Sequence, residues 1–145
     1  MKILGLDSSG IVASVAIVED DDSYAETLQE YLNKYEQENE VRFQVVRYED
    51  GADLVEKYHG DFDILIMDIE LKFMDGMTAA QHIRKMDSNV SLFCDNMPQF
   101  ALKGYQVDAL DYVLKPISYY AFSQRLERAL ERMERRSAKN ISHFI

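Results

Sequence analysis

At 145 residues, 47% of them hydrophobic, the chain has enough length and apolar content for one domain with a substantial core. A formal net charge of −10 and a pI near 4.7 exclude a broad basic footprint on a nucleic acid backbone and adhesion to anionic lipid. The single cysteine, Cys94, rules out an internal disulfide, no stretch is long and apolar enough to cross a membrane, and the opening MKILGLD lacks a signal peptide's apolar region, so a cytoplasmic protein is expected.

Taken in order, the apolar residues switch repeatedly between two periods. Residues 14–18 (SVAIV) form a short apolar run that reads as a strand. The run breaks into Glu-Asp-Asp-Asp ahead of Ser23-Tyr-Ala-Glu26, a capping-box pattern that predicts a helix start. Tyr24, Leu28, Tyr31, Leu32 and Tyr35 then recur at helical spacing as one apolar stripe. Residues 41–48 alternate Val41, Phe43 and Val45 against polar neighbours, as a half-buried strand does, and Leu54, Val55 and Tyr58 predict a short helix after it. A continuous apolar run over 64–67 ends in Asp68, followed by a loop through Asp75-Gly76 and a helix around 78–86. Residues 90–94 read as a strand, 99–105 as a short helix, and 109–114 as a strand that ends at Lys115-Pro116. The last helix is predicted from near Ser118, with Phe122, Leu126, Leu130 and Met133 on its buried face.

Five strand–helix alternations with central strands apolar on both faces imply a parallel sheet covered by helices, because parallel strands need right-handed crossover connections. In such open sheets ligands sit at the carboxyl ends of the strands. The residues ending these strands are Glu19 and Asp20 after the first, Asp68 after the third, Asp95 after the fourth and Lys115 after the fifth. Carboxylates packed together repel unless a cation neutralises them or a proton is retained. An oxygen-only donor set suits Mg²⁺, and a metal beside a carboxylate supports phosphoryl transfer onto it, with Lys115 pairing with phosphoryl oxygens as a point charge.

The motifs IVEDD (17–21), LIMDIE (65–70), MDG (74–76) and DYVLKP (111–116), in this order and at these separations, resemble the receiver domains of bacterial two-component response regulators over about residues 14–135. The stretch NMPQFALKGYQVDALDYVLKP is particularly similar to receivers of the LytTR (LytR/AlgR) group, whose output domain binds DNA. The resemblance implies a CheY-like, flavodoxin-like doubly wound α/β fold: a five-stranded parallel sheet of order 2-1-3-4-5 with five helices. It implies Asp68 as phosphoacceptor, Glu19, Asp20 and Asp68 as Mg²⁺ ligands joined by the backbone carbonyl of Glu70, and Lys115 on the phosphoryl group. It implies a cis bond before Pro116 and Tyr112 as the rotating aromatic switch. Implied partners are a sensor histidine kinase and a second copy, the latter through the face of the 99–105 helix, the fifth strand and the last helix. DNA is implied only through an output domain that this chain does not contain, and no membrane partner is implied.

Two departures stand out. The family's hydroxyl residue, a Thr or Ser that bonds the phosphoryl group, falls at Asp95; an ionised carboxylate cannot donate and repels a phosphoryl group. The alternative function is therefore a phosphorylation-independent pseudo-receiver that serves only as an interaction module. The second departure is the start: MKILGLDSSGIVASVAIVED resembles the first strands of the TsaB family of tRNA threonylcarbamoyladenosine-modification proteins. That likeness covers about twenty residues and brings no Gly-rich phosphate loop, so a fragment of an ATP-dependent tRNA-modification enzyme is the weakest reading. Residues 1–10 are expected to be an irregular or outward-packed extension, 11–136 the receiver domain, and 137–145 the remnant of a linker.

Other residues carry plainer expectations. Cys94 is expected to be a buried structural thiol, and His59, His82 and His143 show no ligand spacing. The aromatics on helical stripes read as core, and the run ERALERMERR (127–136) reads as a solvated helical face, with a dimer seam as the alternative.

Overall fold

The computed structural model describes residues 10–68, 76–96 and 111–143, and the side chains of 10–68, 78–93 and 115–136. The expected N-terminal extension over 1–9, Glu70 and the helix expected over 99–105 lie outside the described residues. The elements are β1 (Ile11–Val18), α1 (Asp22–Glu38), β2 (Val41–Tyr48), α2 (Gly51–Lys57), β3 (Ile64–Asp68), α3 (Gly76–Met86), β4 (Ser91–Asn96), β5 (Asp111–Leu114) and α4 (Tyr119–His143).

All strand pairings are parallel, in the order β2-β1-β3-β4-β5. The order reverses at β1, where β2 pairs on one side and β3 on the other, and the carboxyl ends of β1 and β3 are where open sheets of this kind bind ligands. β3 reads Ile-Leu-Ile-Met-Asp and is buried at every position, because helices cover both faces of a parallel sheet. Alternate residues go to opposite cores. Ala16, Val18, Leu65, Met67 and Leu92 pack with Leu54 of α2 and Ala79, Ala80 and Ile83 of α3. Val15, Ile17, Ile64, Ile66 and Phe93 pack with Leu28 and Leu32 of α1 and Phe122, Leu126 and Leu130 of α4. Burial of each Val, Leu, Ile, Met or Phe side chain among these is worth about 1.5–3 kcal/mol, and both cores press on β1 and β3.

Four boundaries differ from the sequence expectation. β1 starts at Ile11 instead of residue 14, because Ile11, Val12 and Ala13 continue the ladder against Val41, Arg42 and Phe43. α1 is capped by Asp21, not Ser23: the Asp21 carboxylate accepts from the N–H groups of Ser23 at 2.9 Å and Tyr24 at 3.3 Å. β4 spans Ser91–Asn96, which carries it past the expected end at Cys94. α4 continues through residue 136 to His143, since residues 134–143 (ERRSAKNISH) hold no glycine or proline to stop it. In the run 127–136, Glu127, Arg128, Glu131, Glu134 and Arg135 are exposed while Ala129 and Leu130 are core residues, so the charged face is solvated and the helix amphipathic.

Candidate functional site

Each arm of the site is fixed by local chemistry. β1 delivers Glu19 and Asp20 at its carboxyl end, and the Glu19 N–H donates to the Tyr48 carbonyl at 3.0 Å, extending the β1–β2 ladder by one bond. The Asp21 N–H turns back to donate to Glu19 Oε2 at 3.2 Å, while the Asp21 side chain begins α1. β3 delivers Asp68, its last residue. The loop after β5 delivers Lys115, whose bond to Pro116 is cis as expected. The same loop is tied down where Tyr31 Oη of α1 donates to the Ile117 carbonyl at 2.9 Å.

Lys115 bridges the two buried acids, with Nζ 3.0 Å from Glu19 Oε1 and 3.1 Å from Asp68 Oδ2. Glu19 is 1% exposed and Asp68 4%, so neither is screened by bulk water. Burial pushes the Glu19 carboxyl up from 4.5 to about 7, and Asp68 adds to the rise; Lys115 and the Asp21 N–H pull against it. Burial opposes the charge on Lys115, yet Glu19 and Asp68 outweigh it and hold the ammonium above its ordinary value. The ring of Tyr24 caps the ammonium, 4.8 Å from Nζ to the centroid.

One carboxylate oxygen each from Glu19, Asp20 and Asp68 lie within 4.8 Å of one another. Six oxygens around Mg²⁺ at about 2.0–2.1 Å place ligand pairs about 3–4 Å apart, so these three fit one hard divalent cation after small side-chain adjustments. Three carboxylates facing one ammonium also leave an excess of negative charge that a divalent ion would offset.

Of the residues singled out in the sequence, Glu19, Asp20, Asp68 and Lys115 therefore converge. Asp95 is the register partner of Asp68 across the β3–β4 ladder, which puts the two residues side by side at the strand ends. Tyr112 lies on β5 in register with Cys94; the side chains of Asp95, Tyr112 and Cys94 lie outside those described, as does the whole of Glu70. Tyr24 and Arg47 went unread in the sequence as parts of the site. Arg47, near the end of β2, donates from Nε at 3.1 Å and Nη2 at 2.8 Å to the Glu19 carbonyl, and its Nη1 lies 2.8 Å from Asp22 Oδ1. A basic residue at the carboxyl end of an edge strand that must neighbour an acidic loop was the available signal.

The family model described as "Response regulator receiver domain" matches residues 15–127, and the chain belongs to that family. Among curated proteins it is 32% identical over 113 residues to the sensory transduction protein LytT of Bacillus cereus, covering 77% of this chain and 45% of that one. It is 30% identical over 86 residues to the sensory transduction protein LytR of Staphylococcus saprophyticus, covering 59% of this chain and 32% of that one. The chain thus spans less than half the length of these relatives. Among solved structures, the signal receiver domain of a LuxO repressor protein from Vibrio parahaemolyticus superposes with a TM-score of 0.74 at 20% identity, covering 88% of this chain and 97% of that one. The fold is the CheY-like parallel α/β fold. Among the described residues, no helix is long and apolar enough to cross a membrane.

Proposed function

We propose that this receiver accepts a phosphoryl group on Asp68 from a sensor histidine kinase, with Mg²⁺, in a cytoplasmic two-component pathway. The observation that carries the reading is the buried Glu19–Lys115–Asp68 triad, with Asp20 beside it, at the reversal point of the sheet. Glu19, Asp20 and Asp68 would hold the metal, joined by the backbone carbonyl of Glu70. Bound there, the ion would neutralise charge on the transferring phosphoryl group. An oxygen of the Asp68 carboxylate attacks phosphorus, the bond from phosphorus to the donor nitrogen breaks, and its electron pair leaves with the imidazole. Lys115 already bonds Asp68 Oδ2 and stands ready to pair with a phosphoryl oxygen. The product would be a regulator in a changed surface state, not an enzyme with turnover on a free substrate. Tyr112 is the candidate switch residue, and the face of β5, α4 and residues 99–105 is the candidate dimer surface. DNA would be reached only through an output domain beyond this chain; the LytT and LytR relatives are about two to three times longer than the segments matched.

A second reading is favoured by one observation, the pairing of Asp95 with Asp68. An acid beside the acceptor would repel the incoming group, which points to a pseudo-receiver that signals without phosphate. Intact mass after incubation with acetyl phosphate and Mg²⁺ separates the two. Gain of one phosphoryl group by the parent and by Asp95→Thr, with none on Asp68→Asn, supports phosphoacceptance. An unmodified parent beside a modified Asp95→Thr supports the pseudo-receiver.

A further inference from the structure

The run Glu19-Asp20-Asp21-Asp22 sets four acidic side chains in succession, and the fold gives them different tasks. Glu19 and Asp20 join the cluster, Asp21 caps α1, and Asp22 pairs with Arg47. Arg47 commits all three guanidinium nitrogens to this loop: two to the Glu19 carbonyl and one to the Asp22 carboxylate. The next residue on β2, Tyr48, accepts from the Glu19 N–H at 3.0 Å. Both backbone polar groups of Glu19 are therefore clamped by consecutive residues of the edge strand.

We propose that Arg47 is a positioning residue for the divalent cation, an inference that rests on the metal-assisted reading above. Because the peptide unit is planar, holding the Glu19 carbonyl fixes the plane of the Glu19–Asp20 peptide and so the direction from which Asp20 presents its carboxylate. The ion pair with the exposed Asp22 carboxylate anchors the third guanidinium nitrogen, so that the other two stay on the Glu19 carbonyl. Only a guanidinium does both at once, since its planar fork spans two acceptors and an ammonium is a point donor.

Charge and positioning predict opposite effects of removing Arg47. By charge alone Arg47 would repel a cation held by the neighbouring acids, so deleting it would tighten Mg²⁺ binding. Positioning predicts the reverse. Outer partners of metal ligands commonly change affinity 10–100-fold when removed, and isothermal titration with Mg²⁺ should show Arg47→Met weakened about tenfold. Arg47→Lys should be weakened nearly as much, whereas Asp22→Asn, which keeps the carbonyl clamp, should change less than about threefold. Acetyl phosphate reactions should show the Arg47 variants needing more Mg²⁺ to reach the parent's maximal rate, and thermal unfolding in EDTA confirms that each variant is folded. Equal or tighter Mg²⁺ binding by Arg47→Met, or full rescue by Arg47→Lys, overturns the positioning role alone. A parent that takes up no Mg²⁺ overturns the metal-assisted reading and this inference with it.

Discussion

The two ends of the parallel sheet satisfy their carboxylates in opposite ways. At the amino ends of β3 and β4, the half-buried Asp63 and Asp87 accept from ordinary donors. The Ser14 N–H donates to Asp63 Oδ2 at 2.9 Å; Tyr58 Oη donates to Asp87 Oδ2 at 2.6 Å, and the N–H groups of Asn89 and Val90 donate to Asp87 Oδ1 at 2.9 and 3.3 Å. At the carboxyl ends, Glu19 and Asp68 face each other and share one ammonium. Acids at the amino end are finished as structural joints, whereas acids at the carboxyl end form a site that still has use for a cation. Residue type does not distinguish them; the supply of donors does.

The sharpest way to break this contrast is to remove a joint. Asp87→Ala strips three hydrogen bonds from a charged acceptor and leaves the Tyr58 hydroxyl without that partner, and should cost about 3 kcal/mol in urea unfolding. The folded fraction should still take up a phosphoryl group on incubation with acetyl phosphate. A stable Asp87→Ala domain that fails to phosphorylate would place the chemistry at the wrong end.

Titration supplies the next test. A carboxyl whose native value is raised from 4.5 to about 7 holds its proton more tightly folded than unfolded. The stabilisation from Glu19 is thus fully present below about pH 4.5 and lost as pH rises through about 7, a fall on the order of 3 kcal/mol without metal. Mg²⁺ should shrink the fall, because it replaces the proton as the neutralising cation. Unfolding in urea at several pH values, in EDTA and in Mg²⁺, measures both; a metal-free domain whose stability climbs over that window would contradict the account of Glu19.

The smallest effect lies again at the amino end. Ser91 Oγ is buried with no hydrogen-bond partner among the described residues, so Ser91→Ala should stabilise the domain by about 0.5–1 kcal/mol in the same assay and leave phosphorylation unchanged. Destabilisation would mean that the hydroxyl has work the geometry does not show.

The strands and the acids at their ends were readable in the sequence because burial on both faces writes continuous apolar runs, and a polar residue that ends such a run declares itself. Glu19, Asp20, Asp68 and Lys115 were found that way. The finer devices left weaker traces. Asp21 outcompeted Ser23 as the cap because its carboxylate, two positions earlier, reaches the N–H groups of Ser23 and Tyr24, and a run of three aspartates disguises which one does so. Tyr58 looked like a core aromatic, and its hydroxyl partner Asp87 is 29 residues away. Arg47 falls in phase with the apolar Val41, Phe43 and Val45 and so breaks the alternation of its strand, but only the parallel pairing of β1 with β2 reveals that its fork meets the acidic loop.

Residue-level mapping of the phosphoryl group tests the central claim most directly. Borohydride reduces an aspartyl phosphate to homoserine, which peptide mass spectrometry locates after treatment of the domain with acetyl phosphate and Mg²⁺. The account predicts homoserine at position 68 and at no other aspartate. Label at Asp63, Asp87 or Asp95, or no label in a domain that binds Mg²⁺, would contradict it.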